Sequence, residues 1–206
     1  MRRVAGFILF VAGAFMLAFA GGRYAAGWYR AEQARESWDR NEARAAVEHA
    51  INVARRTGQP GPLAEGAPVA RLTIDRIGLD AIVLEGVDGE ELNAGPGHLP
   101  GSAIPGEAGN AIISAHRDRH FDRLDELQVG DTIRTESGDL ATRWIVVGRR
   151  VIEKAEPALF ATRDPTLTLT TCWPIRYIGP APERLIVTAR PIPPRAGPAR
   201  RVATIG

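Results

Sequence analysis

From Val69 to Pro191 the chain is cut into short β-like runs separated by turn chemistry. VARLTI (69–74), AIVLEG (81–86), NAIISA (110–115), DTIRTES (131–137), TRWIVVGRRVI (142–152), TLTLTT (166–171) and RLIVTA (184–189) read as strands. Between them stand Asp88-Gly89, Pro96-Gly97, Pro105-Gly106 and Ser137-Gly138. Only short helical pieces fit, around 90–93, 122–127 and 157–162. This pattern predicts an all-β domain, a closed barrel or a sandwich, rather than a βαβ fold.

The segment before it is of another kind. Residues 4–22 carry no charge and follow Arg2 and Arg3, close to the ~20 residues that cross a bilayer. The reading is an N-terminal anchor over 1–23, with the rest of the chain on the extracytoplasmic side by the positive-inside rule. A cleaved signal peptide is the rival, because Ala18-Phe19-Ala20 has the form of a cleavage site. Residues 24–57 read as a helical stalk or arm, since 29–57 are rich in Ala, Glu and Arg and contain neither Pro nor Gly. Val47, Ala50, Ile51 and Ala54 form a short apolar stripe, while Trp38 falls on the opposite face of a continuous helix. Residues 58–68 are a Gly/Pro linker, 69–191 the β domain, and 192–206 a Pro-rich basic tail expected to be disordered.

Charge argues against nucleic acid. Residues 69–191 hold 14 Lys/Arg against 18 Asp/Glu, so the excess positive charge lies in the two ends. A single cysteine, Cys172, excludes an intramolecular disulfide and leaves either a buried small hydrophobe or a reactive thiol.

Nucleophilic thiol chemistry needs a thiolate, a proton carrier, and positive charge or N–H donors near the developing oxyanion. Cys172 lies where the alternation of Leu167 and Leu169 ends, at the rim of the predicted barrel. His116 stands just past the apolar strand Ala111-Ile112-Ile113 and suits proton transfer near neutrality. Arg184 opens the strand after Cys172, across a loop containing Pro174, Gly179, Pro180 and Pro182, so adjacent strands would bring it beside the thiol. The other histidines fit plainer roles: His49 in the arm, His98 in a Gly/Pro turn, and His120 four residues past His116. A zinc site on His116, His120 and Cys172 lacks a further well-spaced ligand, and no cluster of spaced carboxylates suggests calcium, so metal independence and no cofactor are expected.

These motifs together resemble those of the sortases. TLTTC at 168–172, with Arg184 twelve residues on, is similar to the family's T-L-x-T-C…R signature. GLDAIVLEGV (78–87), GPGHLPGSAIPGEAGNAIISAHRD (95–118) and FDRLDELQVGD (121–131) resemble the sortase core, and the wording is nearest the class D and proteobacterial branches. The resemblance implies an eight-stranded β-barrel and a membrane-anchored cysteine transpeptidase. Cys172 is then the nucleophile, His116 the general acid/base, and Arg184 the partner of the oxyanion or substrate carbonyl. Thr170 and Thr171 are expected to border the bound peptide, with backbone N–H groups near Thr171 and Cys172 as oxyanion donors. The segment 151–165 corresponds to the loop that shapes the peptide pocket. Implied partners are exported proteins bearing a C-terminal L-P-x-T-G-like sorting motif and an amine acceptor, either a cell-wall peptide or a protein lysine. A thiol peptidase with water as acceptor and a non-enzymatic membrane-tethered β module remain the alternatives. The arm at 29–57 has no counterpart in the family's core motifs, and its role is open: spacer, lid or partner site.

Overall fold

Alternation along the strands decides which side chains the sheet closes around. The computed structural model describes residues 2–59, 61–153, 162–177 and 179–193. Among them eight strands form a closed barrel: β1 (Pro68–Ile74), β2 (Leu79–Glu85), β3 (Gly97–His98), β4 (Asn110–Ser114), β5 (Thr132–Ser137), β6 (Leu140–Glu153), β7 (Thr166–Trp173) and β8 (Glu183–Pro191). Their order around the barrel is β1-β2-β3-β4-β7-β8-β6-β5, and β5 closes onto β1. The β2–β3 and β4–β7 pairs are parallel and the others antiparallel.

The interior is filled by one residue in two along each strand, including Leu72, Ile74, Val83, Ile113, Ile133, Trp144, Leu167, Leu169 and Val187. The indole N–H of Trp144 would be orphaned there; it donates to the Thr135 hydroxyl at 2.8 Å. The Ser137-Gly138 dipeptide does turn the chain between β5 and β6, with Gly138 at φ 58°, where a side chain would be strained. The helical piece expected at 90–93 is a helix over Gly89–Ala94, named α3 below. That expected at 122–127 is a single 3-10 turn, Leu124–Glu126. The expectations for 157–162 and for most of the tail lie outside the described residues.

The N-terminal third is helical. Helix α1 runs unbroken over Arg2–Asp39, and α2 follows over Glu42–Thr57. The chain reverses at Asn41, which takes the left-handed conformation (φ 63°) that Asn tolerates better than most residues. This break corrects the expectation for Trp38. On one continuous helix it would face away from Val47 and Ile51; after the reversal all three are buried together. They pack with Ala34, Ala43 and Ala50 against Val69, Ile82, Leu84 and Ile104, the outward residues of the barrel wall and its loops. Gly58 ends α2 in the left-handed conformation, its N–H bonded to Ala54 O at 2.9 Å. The arm from Gly27 onward is thus a second layer of the fold, with its own core.

Candidate active site

Strand register brings the three predicted residues to one end of the barrel. Cys172 and Arg184 are direct partners across the antiparallel β7–β8 ladder, which sets their Cα atoms about 5 Å apart. On the other side of β7, the parallel β4 ladder pairs Asn110 with Thr166 through to Ser114 with Thr170. The Ala115 N–H continues it by donating to Thr170 O at 3.2 Å. One further residue puts His116 level with Cys172. The thiol is free and half-buried, and His116 and Arg184 are half-buried as well.

His116 stands beyond the end of β4, so the sheet alone does not fix it. Its own carbonyl accepts from the Phe121 N–H at 3.2 Å, closing a turn. The Thr171 hydroxyl donates to Ala115 O at 2.8 Å. Arg117 donates to Pro174 O at 2.9 Å and to Gly179 O at 2.7 Å, tying the His116 turn to the loop that follows Cys172. Its guanidinium also lies over the Tyr177 ring, 5.6 Å from the centroid. Arg119 reaches the other way, to Asn93 O at 2.9 Å, and lies over the Tyr24 ring at 5.3 Å. Sequence reading had singled out neither arginine, because a side chain bonded to distant carbonyls leaves no spacing pattern.

The electrostatics favour a neutral imidazole. Burial holds His116 below its ordinary value of 6.5; Asp118 draws it back up and Arg119 pushes it down. His120 is lowered too, by burial first and then by Arg119 and His116. It lines a small cavity together with Ala31, Ala34 and Arg35 of the arm. The Arg184 guanidinium donates to Glu183 O at 3.0 Å, holding the side chain back along its own strand.

Thr170 and Thr171 differ sharply. Thr170 shares the outward face of Cys172 and is partly exposed. Thr171 has the parity of Leu167 and Leu169; it is 3% exposed and its hydroxyl is taken by Ala115. Its side chain therefore holds the His116 turn, and only its backbone remains for a peptide. The loop expected to shape the peptide pocket falls largely at 154–161, outside the described residues.

A second polar cluster lies away from Cys172. His98, expected in a Gly/Pro turn, is 2% exposed on β3. Its Nδ1 is 2.6 Å from Glu85 Oε2, and its Nε2 is 2.9 Å from Ala103 O and 3.0 Å from Ser102 Oγ. The order Ser–His–Glu suggests a hydrolase triad, but the bonding argues otherwise. Ser102 donates its hydroxyl proton to Leu99 O at 2.7 Å and accepts from the Ile112 N–H at 3.3 Å. The Ser102 proton is thus committed to Leu99 O rather than to the imidazole. The cluster ties β2, β3 and the following loop together. Among the described residues no group of three or more His, Cys, Asp and Glu side chains is arranged to hold a metal.

Known proteins share this domain. The family model of the sortase domain matches residues 72–192. Sortase D of Bacillus subtilis (strain 168) is 33% identical over 118 residues, 56% of this chain; the chain spans 60% of that relative's length. The fold of a Clostridium perfringens sortase D5 transpeptidase superposes with a TM-score of 0.64 at 24% identity, covering 82% of this chain and 99% of that one. The lid mutant of Streptococcus agalactiae sortase C1 gives 0.56 at 29% identity, over 62% and 70%. With a sortase domain over more than half its length and the eight-stranded barrel to match, the chain belongs to the sortase family.

Proposed function

We propose that this protein is a membrane-anchored cysteine transpeptidase acting on exported proteins that carry a C-terminal L-P-x-T-G-like sorting motif. The observation that carries the reading is the register that sets Arg184 directly opposite Cys172 and leads His116 to the same level from the other side. In the first step the Cys172 thiol passes its proton to His116, and the sulfur, now a thiolate, attacks the Thr carbonyl carbon of the motif. The carbonyl oxygen becomes an oxyanion faced by the Arg184 guanidinium and by backbone N–H groups near Cys172. The C–N bond then breaks, His116 gives its proton to the leaving amine, and a thioester remains. In the second step an amine attacks the thioester, His116 takes its proton, and the thiolate departs. No cofactor enters this scheme.

In the same reading residues 1–23 span the membrane, 24–57 form the arm, 58–68 link it to the catalytic domain at 69–191, and that domain lies outside the cytoplasmic membrane. One helix among the described residues is long and apolar enough for the span. The test is a fluorogenic peptide carrying the motif, with and without triglycine. Wild type is expected to release the leaving fragment and, with triglycine, to yield the ligated product, while Cys172→Ala and His116→Ala do neither. Hydrolysis without ligation would make the protein a thiol peptidase. Wild-type turnover by Cys172→Ala would remove the assignment.

A further inference from the structure

Helix α1 has two lives, and the boundary between them is sharp. Over residues 6–22 none of the described residues outside the helix packs on it: Phe7, Phe10, Phe15, Leu17 and Phe19 are all exposed, and a Cβ added at Gly13, Gly21 or Gly22 would meet open space. At Gly27 the helix touches the domain so closely that an added Cβ would lie 2.8 Å from Asn93 O. From there Gly27, Ala34 and Trp38 are buried along one face, and Arg30 pairs with Glu90 at 2.7 Å. No break in the helix separates the two regions. Five residues of helix from Gly22 to Gly27 span about 8 Å.

Those five residues and their neighbours have the composition of a membrane interface. Tyr24, Trp28 and Tyr29 are each well exposed, with Arg23 and Arg30 among them. The same level of the helix meets the catalytic machinery. The Tyr24 ring carries the Arg119 guanidinium, and Asn93 O accepts from Arg119 while Gly27 passes close against it. Arg119 is three residues past His116, a stretch of chain that reaches at most about 10 Å.

We propose that the face of the catalytic domain bearing the His116 turn rests on the phospholipid headgroup layer, held there by the docked helix rather than hung from a loose tether. The inference rests on the reading of residues 1–23 as a membrane span. Its consequence is a distance rule for substrates. A scissile bond kept at headgroup level by the substrate's own membrane segment is within reach of Cys172; one carried well above the bilayer on a stiff spacer is not.

Because Cys172 is the sole cysteine, a thiol-reactive fluorophore reports depth at the site without mutation. The full chain, labelled at Cys172, goes into nanodiscs of phosphatidylcholine and phosphatidylglycerol containing headgroup-nitroxide lipid. A comparison variant carries a helical insert of roughly 18 residues between Gly22 and Arg23, lifting the domain by about 27 Å. Headgroup quenching is expected to be strong in the native chain and to fall at least about twofold in the lifted variant. Equal quenching in the two overturns the proposal. The second measurement uses unlabelled protein and membrane-anchored substrates with short or long helical spacers. The native chain should favour the short spacer by about tenfold, and the lifted variant the long one. Indifference to spacer length also overturns the proposal. A soluble peptide serves both variants equally; if neither cleaves it, the transpeptidase reading fails, while the quenching still decides where the site lies.

Discussion

The two flanks of the site are built by different means. Cys172 and Arg184 lie on an unbroken ladder running from Leu167–Ala189 to Trp173–Glu183, and backbone pairing alone sets them opposite each other. His116 lies past the end of its strand, on a turn held by side chains: Thr171 to Ala115 O, Arg117 to Pro174 O and Gly179 O, Arg119 to Asn93 O. A sheet delivers geometry whatever the side chains are. A turn must be braced, and each brace is a place where one substitution moves the His116 imidazole. The thiol flank should therefore tolerate loss of chemistry without loss of structure, and the imidazole flank should lose geometry when its braces go.

The largest effect tests the first half of that contrast. On the proposed mechanism Arg184→Ala removes the charge that would face the oxyanion, and it leaves the ladder intact. Turnover of the motif peptide is expected to fall by about 10²–10³, or 2.7–4 kcal/mol of transition-state stabilisation, with thermal unfolding close to wild type. A variant that unfolds instead would show that Arg184 holds the strands, and the contrast between the flanks would break.

Arg117→Ala tests the second half and should cost less. It strips two bonds to carbonyls from a charged donor, each worth roughly 1.5–3 kcal/mol, and part of that goes into the position of His116. A loss of about 10- to 100-fold in kcat with KM little changed is expected. Arg117→Lys should recover only part of it, because an ammonium keeps the charge but not the fork that spans Pro174 O and Gly179 O. Full activity in Arg117→Ala would mean the turn holds its shape unaided.

What the sequence discloses follows the same division. Cys172 and Arg184 were legible because period-two alternation and a turn-rich loop specify neighbouring strand ends. The inward side chain of Thr171 follows the parity of Leu167 and Leu169, although the family resemblance set it beside the peptide with Thr170. Strand β3 was not, because two residues have no period. His98 stands among Gly and Pro and reads as a turn residue, and its partner Glu85 is distant in sequence and signalled by nothing local. Trp38 misled because helical phase was carried through Asn41, a non-glycine residue that ends the helix by taking a positive φ. Arg117 and Arg119 read as ordinary polar residues after a histidine. Their meaning lies in carbonyls on other elements, and a backbone acceptor is the same at every position of a sequence.

The smallest effect concerns the charge on the braced imidazole. Burial, the largest influence, and Arg119 lower His116, and Asp118 opposes them, so an NMR titration of the folded protein should place its midpoint below 6.5. The folded state then binds fewer protons than the unfolded chain, and acidification from above 6.5 toward the folded midpoint should lower stability, with His120 adding in the same sense. Asp118→Asn removes the raising charge and should move the His116 midpoint further down; Arg119→Gln should move it up. Arg119 also braces the turn, so the Gln variant alone mixes position with charge. Arg119→Lys separates them: it keeps the positive charge and loses the planar guanidinium that lies over Tyr24. If charge acts through space, the Lys variant titrates near wild type while its turnover falls, and the Gln variant shifts in both. If Lys and Gln move the midpoint alike, the burial of His116 depends on the brace, and the electrostatics of this flank are a consequence of its geometry.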